Sequence, residues 1–133
     1  MKVGDNVPKG AAVVIFDREG RVLLLLRPAF VTWMPQKWAL PGGHIEEGEK
    51  PIEAAAREVK EETTLEILEP TEFYMSPNGE VVYFTTRTQG GDVVIDWEHN
   101  DFAWVYPEDL TNYDRVPMLD KVVERAKEAL SYA

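Results

Sequence analysis

The sequence of 133 residues contains no cysteine. Disulfides, thiolate nucleophiles and cysteine-ligated zinc are therefore excluded, and the absence suits a cytoplasmic chain. No run of about 18 apolar residues is present, so nothing reads as a membrane-spanning helix. The apolar stretch Val22 to Leu26 has the length of a strand, and the opening Met1-Lys2-Val3-Gly4-Asp5 lacks the apolar core of a signal peptide. Positive charge is scarce: 14 Lys and Arg stand against 24 Asp and Glu, a formal net charge of −10. Such a chain repels nucleic-acid backbone and anionic membrane surface, so neither is an expected partner. A polyphosphate substrate would need a divalent cation to mediate its contact. What is present is a 44% hydrophobic content, enough for a core, in a length that fits one domain spanning residues 1–133.

Lys9 to Phe16 and Arg21 to Arg27 are rich in β-formers and flank the turn signal Asp17-Arg18-Glu19-Gly20, which predicts a hairpin. Pro28 to Lys37 reads as a loop holding Phe30, Trp33 and Met34. A short strand, Trp38 to Leu40, then meets the breaker Pro41-Gly42-Gly43. Pro51 suits a first helical position, and Ile52 to Thr63 continue as helix. Strands over about Leu65 to Met75 and Glu80 to Thr88 are joined by Ser76-Pro77-Asn78-Gly79, a good hairpin turn. Phe102 to Tyr106 predicts a last strand and Pro107 to Leu110 a helical turn. Met118, Leu119, Val122, Val123, Ala126 and Leu130 recur at helical spacing and predict a packing helix. These pieces assemble as an α/β (α+β) fold: one mixed sheet with helices on both sides.

On a wheel of about 100° per residue, Glu61 and Glu62 fall within about 60° on either side of Glu58. Ile52, Ala55, Ala56, Val59 and Thr63 gather on the neighbouring stripe, expected to face the sheet, while Glu53 and Lys60 point to water. Repulsion between Glu58 and each of the other two costs about 0.2–0.5 kcal/mol. All three also sit in the half of the helix where the dipole disfavours negative charge. Arg57, four residues before Glu61, offsets part of this. A solvated acidic face explains any three helical glutamates taken alone. A carboxylate cluster that no basic residue fully neutralises is also what a hard divalent cation needs.

These residues resemble the signature of the Nudix hydrolase family. Gly43 is followed after five residues by Glu49, and after seven more by Arg57-Glu58-Val59-Lys60-Glu61-Glu62-Thr63-Thr64-Leu65. One position departs from the pattern: Thr64 stands where the family usually has Gly. Thr tolerates a left-handed helix exit poorly, so a changed exit is expected, with one more helical residue. The resemblance extends from about Ala11 to Leu130. It includes Trp38-Ala39-Leu40-Pro41-Gly42-Gly43 before the box and Glu98-His99-Asn100-Asp101-Phe102-Ala103-Trp104-Val105 after it.

The resemblance implies an α/β/α sandwich around a central mixed β-sheet. It also implies a metal-dependent pyrophosphohydrolase using Mg²⁺ or Mn²⁺, in which water attacks a phosphorus of a nucleoside di- or triphosphate derivative. Glu58, Glu61 and Glu62 would hold the metal with the Gly42 carbonyl, and Arg57 would orient Glu58 or Glu61. Glu49 would be an accessory acid near the metals, on the substrate side. Glu61 and Glu98 are both candidates for the base that accepts the water's proton. Arg27 would touch phosphate, and Trp33, Phe30 and Tyr83 would stack on a base or sugar. Gly43 and His44, beside the box, complete the substrate side. His99 is either a base partner to Glu98 or a loop hydrogen-bonder, and Trp38, Trp97 and Trp104 are assigned to packing. The expected partner is a small nucleotide, and the family includes homodimers. The alternative is a non-catalytic Nudix-like binding module, which would have lost carboxylates that are all retained here.

Overall fold

The computed structural model describes residues 7–88 and 90–131. The reading of residues 1–5 as free of a leader lies outside them. The described strands form one mixed sheet of order β3-β2-β1-β6-β5, with β4 also against β1 and β7 against β2. Strand β1 (Gly10–Phe16) sits at its centre and alternates as a strand buried on both faces must. Ala11, Val13 and Ile15 enter one core, which helix α1 (Pro51–Thr63) covers through Ala54, Ala55 and Val59. Val14 and Phe16 enter the other, which helix α2 (Leu119–Ser131) covers through Leu119, Val122, Val123 and Ala126. The α/β/α sandwich expected from the sequence is what forms.

The turn between β1 and β2 (Val22–Leu26) is built as its residues dictate: Asp17 Oδ1 accepts from the N–H groups of Glu19 at 2.9 Å and Arg21 at 2.8 Å. Yet the two strands are registered only at Phe16 and Val22. Beyond that point they diverge, because β3 (Trp38–Ala39) pairs with Leu25 and Leu26 while β4 (Gly42–His44) pairs with Gly10 to Ala12. The expected breaker Pro41-Gly42-Gly43 is therefore a wedge whose glycines run as a strand. It lies so close to β1 that a Cβ on Gly42 would collide with the backbone of Ala11 and Ala12. The other edge of β2 is paired along its length with β7 (Asp101–Val105).

The predicted strand over Leu65 to Met75 begins only at Thr71, as β5 (Thr71–Met75). Glu69 at φ 47° and Pro70 interrupt the extended run before it. The hairpin to β6 (Val81–Arg87) forms as expected, with Gly79 at φ 75° and Gly79 N–H donating to Ser76 O at 2.8 Å. A 3₁₀ helix, Pro107–Asn112, follows β7. Met118 does not pack with the helix it precedes: it is exposed and left-handed, with φ 71°.

The buried stripe of α1 is rotated from the expected one. Ala54 replaces Ile52 and Ala56, which are exposed and half-buried, because two adjacent small residues, Ala54 and Ala55, let the helix lie close on β1. The helix ends at Thr63, one residue earlier than the Thr64 departure predicts. Thr64 itself takes the left-handed position (φ 66°) that the family gives to Gly. Its N–H caps Lys60 O at 3.0 Å and its Oγ1 donates to Asp92 O at 3.1 Å. Among the described residues no helix is long and apolar enough to cross a membrane.

Candidate active site

Helix α1 starts cleanly. Pro51 needs no amide partner, and Glu53 reaches back to the Lys50 N–H at 2.9 Å. From there the helix carries Arg57, Glu58, Glu61 and Glu62 towards β4. Gly43 of that strand lies against Glu58, and a Cβ there would overlap the carboxylate. The glycine is required by this close approach, not by a turn.

Arg57 is the hub. Its Nε and Nη2 grip both oxygens of Glu49, at 2.8 and 3.0 Å, and Nη2 also donates to His44 O at 3.0 Å. Nη1 reaches Glu58 Oε2 at 3.2 Å and Glu61 Oε1 at 3.3 Å. Glu46 lies farther out, at 3.8 Å. The guanidinium thus ties the loop before α1 to the acidic strip. It holds the Glu49 carboxyl below the usual range, chiefly through their hydrogen bonds.

The three signature glutamates stand in different environments. Glu61 is open to solvent, with 56% of its side chain exposed, while Glu58 retains 15% and Glu62 only 7%. Burial pushes the Glu58 carboxyl up, partly offset by Arg57. Glu62 is pushed up to about 9, first by burial and further by the charges of Glu58, Asp96 and Glu98. Its one direct hydrogen bond comes from Gly42 N–H, at 2.9 Å to Oε1. The ring of His99 lies beside it, with Nε2 4.0 Å from Glu62 Oε2. The Nδ1 of that ring is 2.9 Å from Asp96 Oδ1. His99 is therefore paired with Asp96 and not with Glu98, because the turn in which Asp96 O accepts from His99 N–H folds the two side chains together. The sequence offers only a three-residue spacing as a sign of Asp96, and helices and turns show that spacing everywhere.

Next to this cluster, on the α2 side of the diverging strands, lies a cavity of about 430 Å³. Arg27, Trp33, Gly43, His44 and Tyr83 all line it, five of the seven residues placed on the substrate side by the sequence. Leu40, Val116, Pro117 and Leu119 supply an apolar wall that no motif marks. Arg27 directly follows β2, with its Nε donating to Trp33 O at 2.9 Å and its guanidinium 5.0 Å from the Trp33 ring centre. It is near enough to Glu62 and Glu98 to feel both charges, so it stands between cavity and carboxylates.

The other two residues lie elsewhere. Glu49 is occupied by Arg57, and Phe30 stands outside the cavity, 66% exposed. Trp97, assigned to packing, is 77% exposed and stacked on Phe30. Its loop, 92–100, carries it past the edge of the core instead of into it. Trp38 and Trp104 do pack, one on each side of the sheet.

Among the described residues no three His, Asp or Glu side chains stand close enough to enclose an ion by themselves. Mg²⁺ does not need such an enclosure, since it keeps several waters and binds through one or two carboxylates plus substrate phosphates. The donor set fits that ion: a buried carboxylate held by the Gly42 N–H, beside the charges of Glu58, Asp96 and Glu98, with Gly42 and Gly43 also lining the cavity.

Comparison with known proteins agrees with this geometry. The sequence model of the NUDIX domain matches residues 7–128. A nucleoside triphosphatase NudI of Escherichia coli is 36% identical over 97 residues, covering 60% of this chain and 69% of its own. A NudI of Klebsiella pneumoniae is 33% identical over 117 residues, covering 75% and 83%. The crystal structure of a MutT protein from Methanosarcina mazei superposes with a TM-score of 0.73 at 26% identity, over 92% of this chain and 96% of that one.

Proposed function

Because this chain belongs to the Nudix family of hydrolases, we propose that it cleaves the phosphoric anhydride bond of a nucleoside triphosphate, or of a nucleoside diphosphate linked to another group, with a divalent ion. The relatives named nucleoside triphosphatases favour the triphosphate. The observation that carries this reading is Glu62: a carboxyl group 7% exposed, with no lysine or arginine in salt-bridge reach among the described residues, beside other acids and next to a cavity that fits a nucleoside. A purely structural role gives no reason to keep an acid there, since burial raises its pKa and makes ionising it costly.

Glu58, Glu61 and Glu62 would hold Mg²⁺ or Mn²⁺ together with the Gly42 carbonyl. When bound, the ion supplies Lewis-acid polarisation of the phosphoryl oxygens and lowers the pKa of water. The protein's own groups do the rest. Trp33 and Tyr83 present aromatic faces to the base, and the apolar wall excludes water from it. Arg27 is placed to neutralise a phosphate oxygen. Arg57 holds Glu58 and Glu61 in one orientation while anchored on Glu49. The proton of the attacking water goes to Glu61 or Glu98, the two exposed carboxylates beside the buried pair.

The test is a hydrolysis screen over nucleotides with Mg²⁺, read by product mass. Turnover should need the metal, and Glu61→Gln and Glu62→Gln should each lower it by orders of magnitude with the fold intact. Variants as fast as the parent would remove the catalytic assignment. Tight nucleotide binding with no product would instead leave a binding module.

A further inference from the structure

Phe30 and Trp97 are among the most exposed large apolar side chains of the described protein, at 66% and 77%. They come from segments far apart in sequence, yet their rings are stacked within 5° of parallel, with centres 6.2 Å apart. Both segments are anchored at the same point, the end of β2. Arg27 N–H donates to Lys37 O at 3.0 Å, closing the loop that carries Phe30, and Asn100 N–H donates to Leu26 O at 3.1 Å, closing the one that carries Trp97. The rings are thus held in register by backbone, without a core beneath them. Neither lines the cavity assigned to a nucleoside. Trp97 directly precedes Glu98, whose charge reaches Glu58 and Glu62, so the pair stands beside the acidic cluster.

We propose that Phe30 and Trp97 form a second aromatic subsite, which stacks a planar group at the far end of the substrate's phosphate chain, so that a polyphosphate bearing a nucleobase at each end binds more tightly than the same chain with one. This rests on the pyrophosphohydrolase reading. One base occupies the Trp33–Tyr83 cavity, the phosphates run past Arg27 to the carboxylates, and the second base lies on the exposed pair. Stacking needs no particular base, because each has a π face. Two parallel rings left in water bury little of each other, and a planar ligand covers what they leave open.

The experiment compares a dinucleoside tetraphosphate with the nucleoside 5′-tetraphosphate that lacks its second nucleoside, in adenosine and guanosine pairs. Binding is measured by calorimetry with Mg²⁺ on Glu61→Gln protein, with and without Phe30→Ala or Trp97→Ala. The dinucleoside compound of at least one pair should bind about tenfold or more tightly than its single-ended control, a gap in the range expected of one stacked base. Both alanine variants should close that gap while leaving affinity for the control within about twofold. No gap in either pair, or a gap that survives either substitution, overturns the proposal. Turnover of the parent with Mg²⁺ is followed separately. A gap that closes in the variants without turnover in the parent would leave the subsite standing and remove the hydrolase.

Discussion

Arg57 does its work through shape as well as charge. Its fork takes both oxygens of Glu49 with Nε and Nη2, and leaves Nη1 for Glu58 and Glu61. A lysine at the same place would be a point charge and could not serve two directions at once. Removing partners that orient a ligating carboxylate lowers activity or metal affinity by about 10–100-fold. Arg57→Ala should therefore lower kcat/KM by about that factor, and Arg57→Lys should recover little of it. Steady-state kinetics of both variants at saturating Mg²⁺ provide the check, with circular dichroism to confirm the fold. A lysine variant at the parental rate would show that charge alone suffices and that the bidentate geometry is incidental.

At the scale of elements, the exit of α1 carries a measurable strain. Thr64 is β-branched and sits at φ 66°, a conformation that costs a non-glycine residue about 1–2 kcal/mol. Its bond to Asp92 O is exposed and returns only part of this. Thr64→Gly should raise the unfolding free energy by about 1 kcal/mol or less, the gain being reduced by the greater freedom of glycine in the unfolded chain. Urea denaturation reads it as a higher midpoint at unchanged slope; a lower midpoint would mean that the Asp92 bond outweighs the backbone strain. The sequence made this helix legible because Pro51, the alanines and the acidic spacing are local signals, as is the Asn78-Gly79 turn. It did not show that Gly42 and Gly43 form a strand, since pairing with β1 is a long-range event and glycine has no strand preference of its own. The wheel placed Glu62 on the rim of the buried face. That β4 and the 96–100 loop close over it depends on packing that no helical projection contains. Trp97 misled for a similar reason: a tryptophan's size predicts burial only when its loop returns to the core.

For the whole molecule, the acidic excess and the buried Glu62 tie stability to pH, and a divalent ion held as proposed would enter the same balance. The Glu62 carboxyl is pushed up to about 9 in the folded protein, from a reference value of 4.5. Between those values the folded state keeps a proton that the unfolded state has released. Unfolding then releases a proton, so stability falls as pH rises across this window, by at most about 1.4 kcal/mol per pH unit for one group. The stabilisation is complete below about pH 4.5 and lost as pH passes through 9. A divalent ion held at the cluster as proposed would favour the ionised carboxylate and bind only the folded state, so it should raise the melting temperature most where the proton is leaving. Melting curves from pH 6 to 9 should thus slope downward without metal and flatten with millimolar Mg²⁺. Glu62→Gln removes the titrating group while retaining an acceptor for Gly42 N–H, so it should flatten the metal-free slope and melt higher than the parent at pH 8. If the glutamine variant keeps the parental slope, the titration belongs to another group and Glu62 is not the buried charge that the cation relieves.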